Sequence, residues 1–250
     1  MYYLIKYGYD GTSFTGFQRG NGENSVEDSI IKILKKYGIG NNIESAARTD
    51  RYVSARGNVM LVDTDTNIGN VMGILNARIP GMFFYSYSAL DSYLNPRHNS
   101  MKQYSYIITE NIDISRVMET LGEFVGQHDF VNFCKLDSRN TVRTIKSINY
   151  STRNGFYIIN IQGRSFVWHQ IRSMMAFALM GKKHPFSLEN KFTYLASPEP
   201  LVLMDISYDN VTFKNFDFKR HNHYFMEKEK ITRTGYMLYD IFGDNRDKQE

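Results

Sequence analysis

Two stretches of this chain carry the same order of secondary-structure signals, and that duplication limits the folds open to it more than any other feature. Tyr2 to Tyr9 is rich in β-formers and reads as a strand. Asp10-Gly11-Thr12-Ser13 breaks it, and a Gly-punctuated loop runs to Asn24. Ser25, with Asp28 three residues on, forms a capping box ahead of an apolar face at Val26, Ile30, Ile33, Leu34 and Tyr37. A short strand around Ile43 to Ala46 and a return strand from Arg56 to Asp63 follow. Asn67 to Ala77 reads as a second helix, and Phe83 to Leu90 as a fourth strand. From Gln103 the order starts again. A strand runs to Thr109, and Asp113 caps a helix with Val117, Leu121, Phe124 and Val125 on its apolar face. After a long loop, strands Val142 to Ser151 and Phe156 to Gln162 flank the turn Arg153-Asn154-Gly155. An apolar helix from Val167 to Met180 and a strand from Leu201 to Tyr208 complete it.

Each half therefore reads β-α-β-β-α-β, the split unit of ferredoxin-like folds. The expected class is α+β: two tandem ferredoxin-like halves forming one extended, mostly antiparallel sheet with helices on one face. Residues 1–100 form the first half and 101–211 the second; 212–250 read as a polar peripheral extension with one helix. A chain of 250 residues, 42% hydrophobic, has length enough for a substantial core. No run of about 18 apolar residues appears, so no membrane span is expected. The N-terminus has no signal-peptide layout. Cys134 is the single cysteine, which excludes an intrachain disulfide and Cys-based metal sites and fits a reducing cytoplasm. The net charge of +4 is a weak pointer to a nucleic-acid partner. The stronger one is 18 Tyr and 17 Phe beside 30 Lys plus Arg. Aromatic rings stack on exposed bases and Arg neutralises phosphate, although most of these rings are expected to fill a core.

Arg48-Thr49-Asp50 falls in the turn of the first half's hairpin. A carboxylate acts as a nucleophile when it is ionised and faces an electrophile. Flanking Arg48 and Arg51 favour the ionised form. Against this stands the plain reading of Asp50 as a turn residue. The wider sequence bears on the choice. Tyr9-Asp10-Gly11-Thr12-x-Phe14-x-Gly16-x-Gln18 comes first, then Ala47-Arg48-Thr49-Asp50-Arg51 with Val53, Ser54 and Ala55. Lys102-x-Tyr104-x-Tyr106, Gly126-x-His128-Asp129-Phe130-x-x-Phe133 and Gly163-x-x-Phe166-Val167-x-x-x-Ile171-Arg172 follow. In this order they resemble the TruA family of tRNA pseudouridine synthases, over about residues 2 to 208.

The resemblance implies isomerisation of uridine to pseudouridine in tRNA, typically in the anticodon stem-loop, without cofactor or metal. It implies that Asp50 attacks a uridine flipped from its stack, at the base or at the ribose anomeric carbon. Arg48 matches the arginine before the family's Thr-Asp and is expected to hold the extruded nucleotide. Tyr104 matches the family's active-site tyrosine, placed to stack on uracil and to assist proton removal from C5. Arg172 matches an arginine on the last core helix; on so apolar a helix it needs a carboxylate partner, and Asp50 is the candidate. The resemblance also implies a homodimer whose tRNA touches both subunits. Arg19, Arg51, Arg56, Arg97, Lys102, Arg139 and Arg143 are the expected phosphate contacts. Gly11 and Gly16 leave room for backbone to approach RNA, and His128 with Asp129 reads as a loop-ordering pair.

The chain departs from the family's Gly-Arg-Thr-Asp-x-Gly-Val-His-Ala at Ala47, Tyr52 and Ser54, and Leu94-Asn95-Pro96-Arg97 stands for its Phe-x-Ala-Arg. A tyrosine in a left-handed position costs about 1–2 kcal/mol. Either the loop differs locally or the glycine is dispensable there. Two other readings are carried: a non-catalytic RNA-binding protein on ferredoxin-like units, and an unrelated small-molecule enzyme of the same fold, which leaves the ordered motifs unexplained.

Overall fold

A computed structural model describes residues 1–20, 24–138, 140–217 and 221–243. The chain runs β1 (Tyr2–Tyr9), α1 (Val26–Lys36), β2 (Glu44–Ser45), β3 (Ser54–Asp63), α2 (Ile68–Arg78) and β4 (Met82–Leu90). It continues through β5 (Met101–Ile108), α3 (Ile114–Gly122), β6 (Gly126–Asp129), β7 (Val142–Arg153), β8 (Phe156–Gly163), α4 (Gln170–Leu179) and β9 (Leu201–Ser207). β10 (Lys214–Asn215) and α5 (His221–Gly243) end it.

The helices start where side chains replace missing backbone partners. Ser25 accepts the Asp28 N–H at 3.1 Å, Asn67 accepts the N–H groups of Gly69 and Asn70, and Asp113 accepts that of Arg116. In α1 this turns Val26, Ile30, Ile31 and Leu34 into the core. The Asn154-Gly155 turn has positive φ at both residues, 52° and 82°, which suits the twist of the β7–β8 hairpin.

The sheet order is β10-β4-β1-β3-β9-β5-β8-β7-β6, with β2 pairing β3 off this path. β4-β1-β3-β2 and β9-β5-β8-β7 are the same permutation, so the duplication read from element order holds in space. Every pairing is antiparallel except β3 with β9, which join the two units in parallel through Ser54↔Val202 and Ala55↔Leu203. Gly57 makes that seam possible: a Cβ there would lie 2.6 Å from the Met204 carbonyl oxygen. Lys6 and Asp205 tie the same seam by an ion pair at 2.5 Å. Within each unit the helices pack in pairs, α1 on α2 and α3 on α4. Many aromatic rings are buried in the core or pack against it, as in the cluster of Phe124, Phe130, Phe133 and Phe177 with the partly buried Phe192.

Three expectations change. β6 lies inside the expected long loop, because Gly-Gln-His-Asp has no apolar alternation and takes strand geometry from pairing with β7. α4 begins at Gln170 rather than Val167, because His169 is left-handed at φ 69°. The extension is less peripheral than its composition implies: β10 adds to the edge of β4, and Tyr224 and Lys228 of α5 bond the Asp10 carboxylate. Among the described residues, no helix is long and apolar enough to cross a membrane.

Candidate active site

The loop of residues 46–53 joins β2 to β3 and is pinned along its length. Ala46 donates its N–H to the Val59 carbonyl at 2.8 Å. The fully buried Asn58 side chain donates to the Ala47 carbonyl at 3.0 Å and accepts the Val59 N–H at 2.8 Å. Thr49 Oγ1 lies 2.9 Å from the Tyr9 hydroxyl. Burial pushes that tyrosine above its ordinary pKa, so it stays a neutral hydrogen-bonding partner. Val53 donates to the Asp50 carbonyl at 3.2 Å and closes the turn. Tyr52 has φ 71°: the left-handed conformation is kept with tyrosine in it, at a cost of about 1–2 kcal/mol. Its ring faces the Arg51 guanidinium at 4.6 Å.

Gly11 supports the loop from behind. Its N–H donates to Ser54 Oγ at 3.0 Å, and an added Cβ would meet the Val53 carbonyl oxygen at 2.3 Å. The room attributed to RNA approach is therefore taken up here by protein backbone. Gly11→Ala is expected to cost about 1–3 kcal/mol through overpacking. Thermal denaturation measures it, and an unchanged melting temperature contradicts the close approach.

Asp50 receives ligands from the other half. Its Oδ2 lies 3.0 Å from Arg172 Nη1, and its Oδ1 accepts the Trp168 indole N–H at 3.1 Å. His169 Nε2 is 3.7 Å from Oδ2. The paired side chains are 19% and 15% exposed, so water screens the Asp50–Arg172 attraction less than it would on an open surface. Arg172 is itself anchored by donating Nε–H to the Ala196 carbonyl at 2.8 Å. The flanking cations do not take this role: Arg48 is exposed and Arg51 stacks over Tyr52. Tyr104, 8% exposed, meets Phe166 edge-on at 5.3 Å. Burial first, then the charge of Asp50, raises its pKa beyond the usual phenol range.

These side chains line one groove of about 1190 Å³ between the halves, with Arg48, Arg51, Arg97, Lys102 and Arg143 around it. Lys102 also props the loop, donating to the Ala46 carbonyl at 3.0 Å. Arg19 lies in a smaller cleft of about 280 Å³ that shares Arg48 and Arg97. Arg56 is exposed on β3, outside the lining of both. Arg139 lies outside the described residues.

A family model described as tRNA pseudouridine synthase matches residues 121–209. The protein called tRNA pseudouridine synthase A in Picrophilus torridus is 49% identical over 242 residues, which is 97% of this chain and 95% of that one. This chain belongs to the tRNA pseudouridine synthase A family. Its namesake in Thermoplasma acidophilum is 44% identical over 85% of this chain and 86% of its own, and that of Thermoplasma volcanium 38% over 92% and 95%. The readings as a non-catalytic RNA-binding module and as a small-molecule enzyme fall away.

In this pseudouridine synthase, two residues at Asp50 escaped sequence reasoning. Trp168 and His169 counted only as part of an apolar helix. Helical spacing does not find them, because both precede α4, which starts at Gln170 after the left-handed His169. Trp168 is 42% exposed, and the Lys135 ammonium sits 3.9 Å from its ring centre. The His128–Asp129 pair orders a loop: His128 stacks on Phe186 at 4.1 Å, and Asp129 accepts from Val131 N–H and Thr141 Oγ1.

Proposed function

We propose that Asp50 is the nucleophile of this synthase, acting on a uridine flipped out of the tRNA anticodon stem-loop. The observation that carries this reading is a sheltered carboxylate, set in a basic groove and held by a guanidinium from the opposite half. Residues 1–100 bring the carboxylate and 101–211 bring the guanidinium. Attack at the base or at the ribose anomeric carbon leads to cleavage of the N1–C1′ bond, which detaches uracil from the ribose. The base turns, and C5 bonds to the sugar. Isomerisation keeps every atom of the nucleoside, so no co-substrate is required. Both reacting atoms are shielded in a stacked stem, which is why the target must leave it.

In this reading Arg48, exposed at the groove, holds the extruded nucleotide. Tyr104 packs against uracil; its raised pKa keeps the phenol neutral, so it supports rather than takes the C5 proton. Arg51, Arg97, Lys102 and Arg143 carry phosphate, with Arg19 and Arg56 extending the track. Arg97→Ala and Arg143→Ala are each expected to reduce the slope of log binding constant against log salt by about 1. A slope equal to wild type removes that residue from the RNA path. A cytoplasmic homodimer completes the proposal; light scattering in solution should give twice the chain mass, and a single-chain mass refutes the dimer.

The test maps pseudouridine on a tRNA transcript by carbodiimide-dependent primer-extension stops. Wild type should place stops in the anticodon stem-loop, and Asp50→Asn should place none while still binding. Stops confined to another arm overturn the stem-loop assignment. Stops made by Asp50→Asn overturn the nucleophile.

A further inference from the structure

We propose that His169 is the proton acceptor for uracil C5, an assignment that rests on the reading of Asp50 given above. The ring belongs to a residue in an unusual backbone state. His169 has φ 69° and ψ −1° at the start of α4, a left-handed conformation that disfavours side chains with a Cβ. The surroundings enforce it: Val167 N–H donates to Gln170 Oε1 at 2.9 Å, and Lys135 N–H donates to the Trp168 carbonyl at 2.8 Å. Strain of this kind persists where the fold over-determines it, and it concentrates at functional sites. Here it turns the imidazole into the groove, 24% exposed, with Nε2 3.7 Å from Asp50 Oδ2. That separation exceeds a direct hydrogen bond, so the ring lies beside the carboxylate without being held by it.

The charge environment keeps the ring a base. The groups facing it are Asp50 from the 46–53 loop, Arg172 from α4, Lys135 from the segment after β6, and Lys191 from the segment before β9. Burial is the largest influence and lowers its pKa from 6.5; the three cations act with it, and Asp50 alone opposes. A neutral imidazole at neutral pH can accept a proton. Other groups near Asp50 fit less well. Arg172 has no lone pair to offer. Tyr104 retains its proton.

The step balances. Once C5 has bonded to C1′, it still carries its hydrogen, and N1 and C6 share a double bond. The C5–H bond breaks, its electron pair restores C5=C6, and the N1=C6 pair moves onto N1. The proton goes to His169 Nε2, and the imidazolium then gives a proton to N1. Nothing is oxidised or reduced, and no co-reactant enters.

His169→Asn tests this, because asparagine tolerates left-handed backbone while removing the ring. The substrate is tRNA transcribed with 5-deuterouridine or ordinary uridine. The variant should lose about 10²- to 10⁴-fold in kcat with KM for tRNA unchanged. It should show a normal C5 deuterium isotope effect larger than that of wild type, and free imidazole should restore part of the rate. Wild-type kcat should fall along a one-proton limb below pH 6.5 that the variant lacks. A variant as fast as wild type overturns the assignment, and so does a slow variant with neither isotope effect nor rescue. If the variant does not fold, wild-type kcat decides alone: a flat profile from about pH 5 to 7, where histidines titrate, overturns it. Product from Asp50→Asn would instead sink the parent reading, an outcome separate from any of these.

Discussion

Asp50→Asn should lower turnover on the order of 10⁴-fold or more while leaving tRNA affinity undiminished. The amide is nearly the same size and keeps one acceptor oxygen, enough for either the Trp168 indole or Arg172 but not both, because its NH2 end only donates; the loop itself stays pinned by Asn58, Thr49 and Gly11. What is lost is the nucleophilic anion. At about 1.36 kcal/mol per decade, four decades correspond to about 5.4 kcal/mol of barrier, more than any orienting hydrogen bond supplies. Affinity should hold or tighten, because a negative charge has been taken out of a groove built to receive phosphate. Single-turnover rates and filter binding on one transcript separate the two quantities. A rate within tenfold of wild type would leave Asp50 as an orienting group and return the nucleophile to the search. Affinity lost in step with rate would mean that the carboxylate shapes the groove rather than reacting in it.

Much of this molecule is written locally. β1, β4, β5 and β8 are dense in aromatic and β-branched residues, and α1, α2 and α3 announce themselves by Ser25, Asn67 and Asp113 at their caps. Such signals survive folding because each element buries the face its own periodicity defines. β6 and β10 carry no such pattern; their geometry is lent by β7 and β4. The site divides the same way. Pairing of Asp50 with Arg172, 122 positions apart, follows from a physical premise available in sequence: a lone guanidinium on an apolar helix requires an anion. The approach of Trp168 and His169 does not follow, because the left-handed residue that ends the preceding segment breaks the helical frame in which they are read. The flanking cations Arg48 and Arg51, read in the sequence as favouring the ionised carboxylate by proximity, do not form its ion pair, which Arg172 supplies. Neighbours in a tight turn point apart, and Arg51 turns to the ring of Tyr52.

Arg172→Ala should reduce turnover by about 10- to 100-fold, with a much smaller loss of tRNA affinity. The range follows from one charge-assisted hydrogen bond, worth about 1.5–3 kcal/mol, lost from a carboxylate that keeps its Trp168 bond. The truncation has a structural cost as well. Arg172 Nε–H holds the Ala196 carbonyl, and Ala196 N–H returns a bond to the Arg172 carbonyl at 3.0 Å, so the segment leading to β9 loses one of its two ties to Arg172. About 1–3 kcal/mol of stability should go with it, since the acceptor is partly buried. Arg172→Lys separates the contributions. A lysine restores the positive charge near Asp50 but cannot reach the carboxylate and Ala196 together, because it lacks the guanidinium's divergent donors. Turnover should recover further than melting temperature. Equal recovery of both would make Arg172 a fastener of the chain, and unchanged turnover in the alanine variant would remove it from the site.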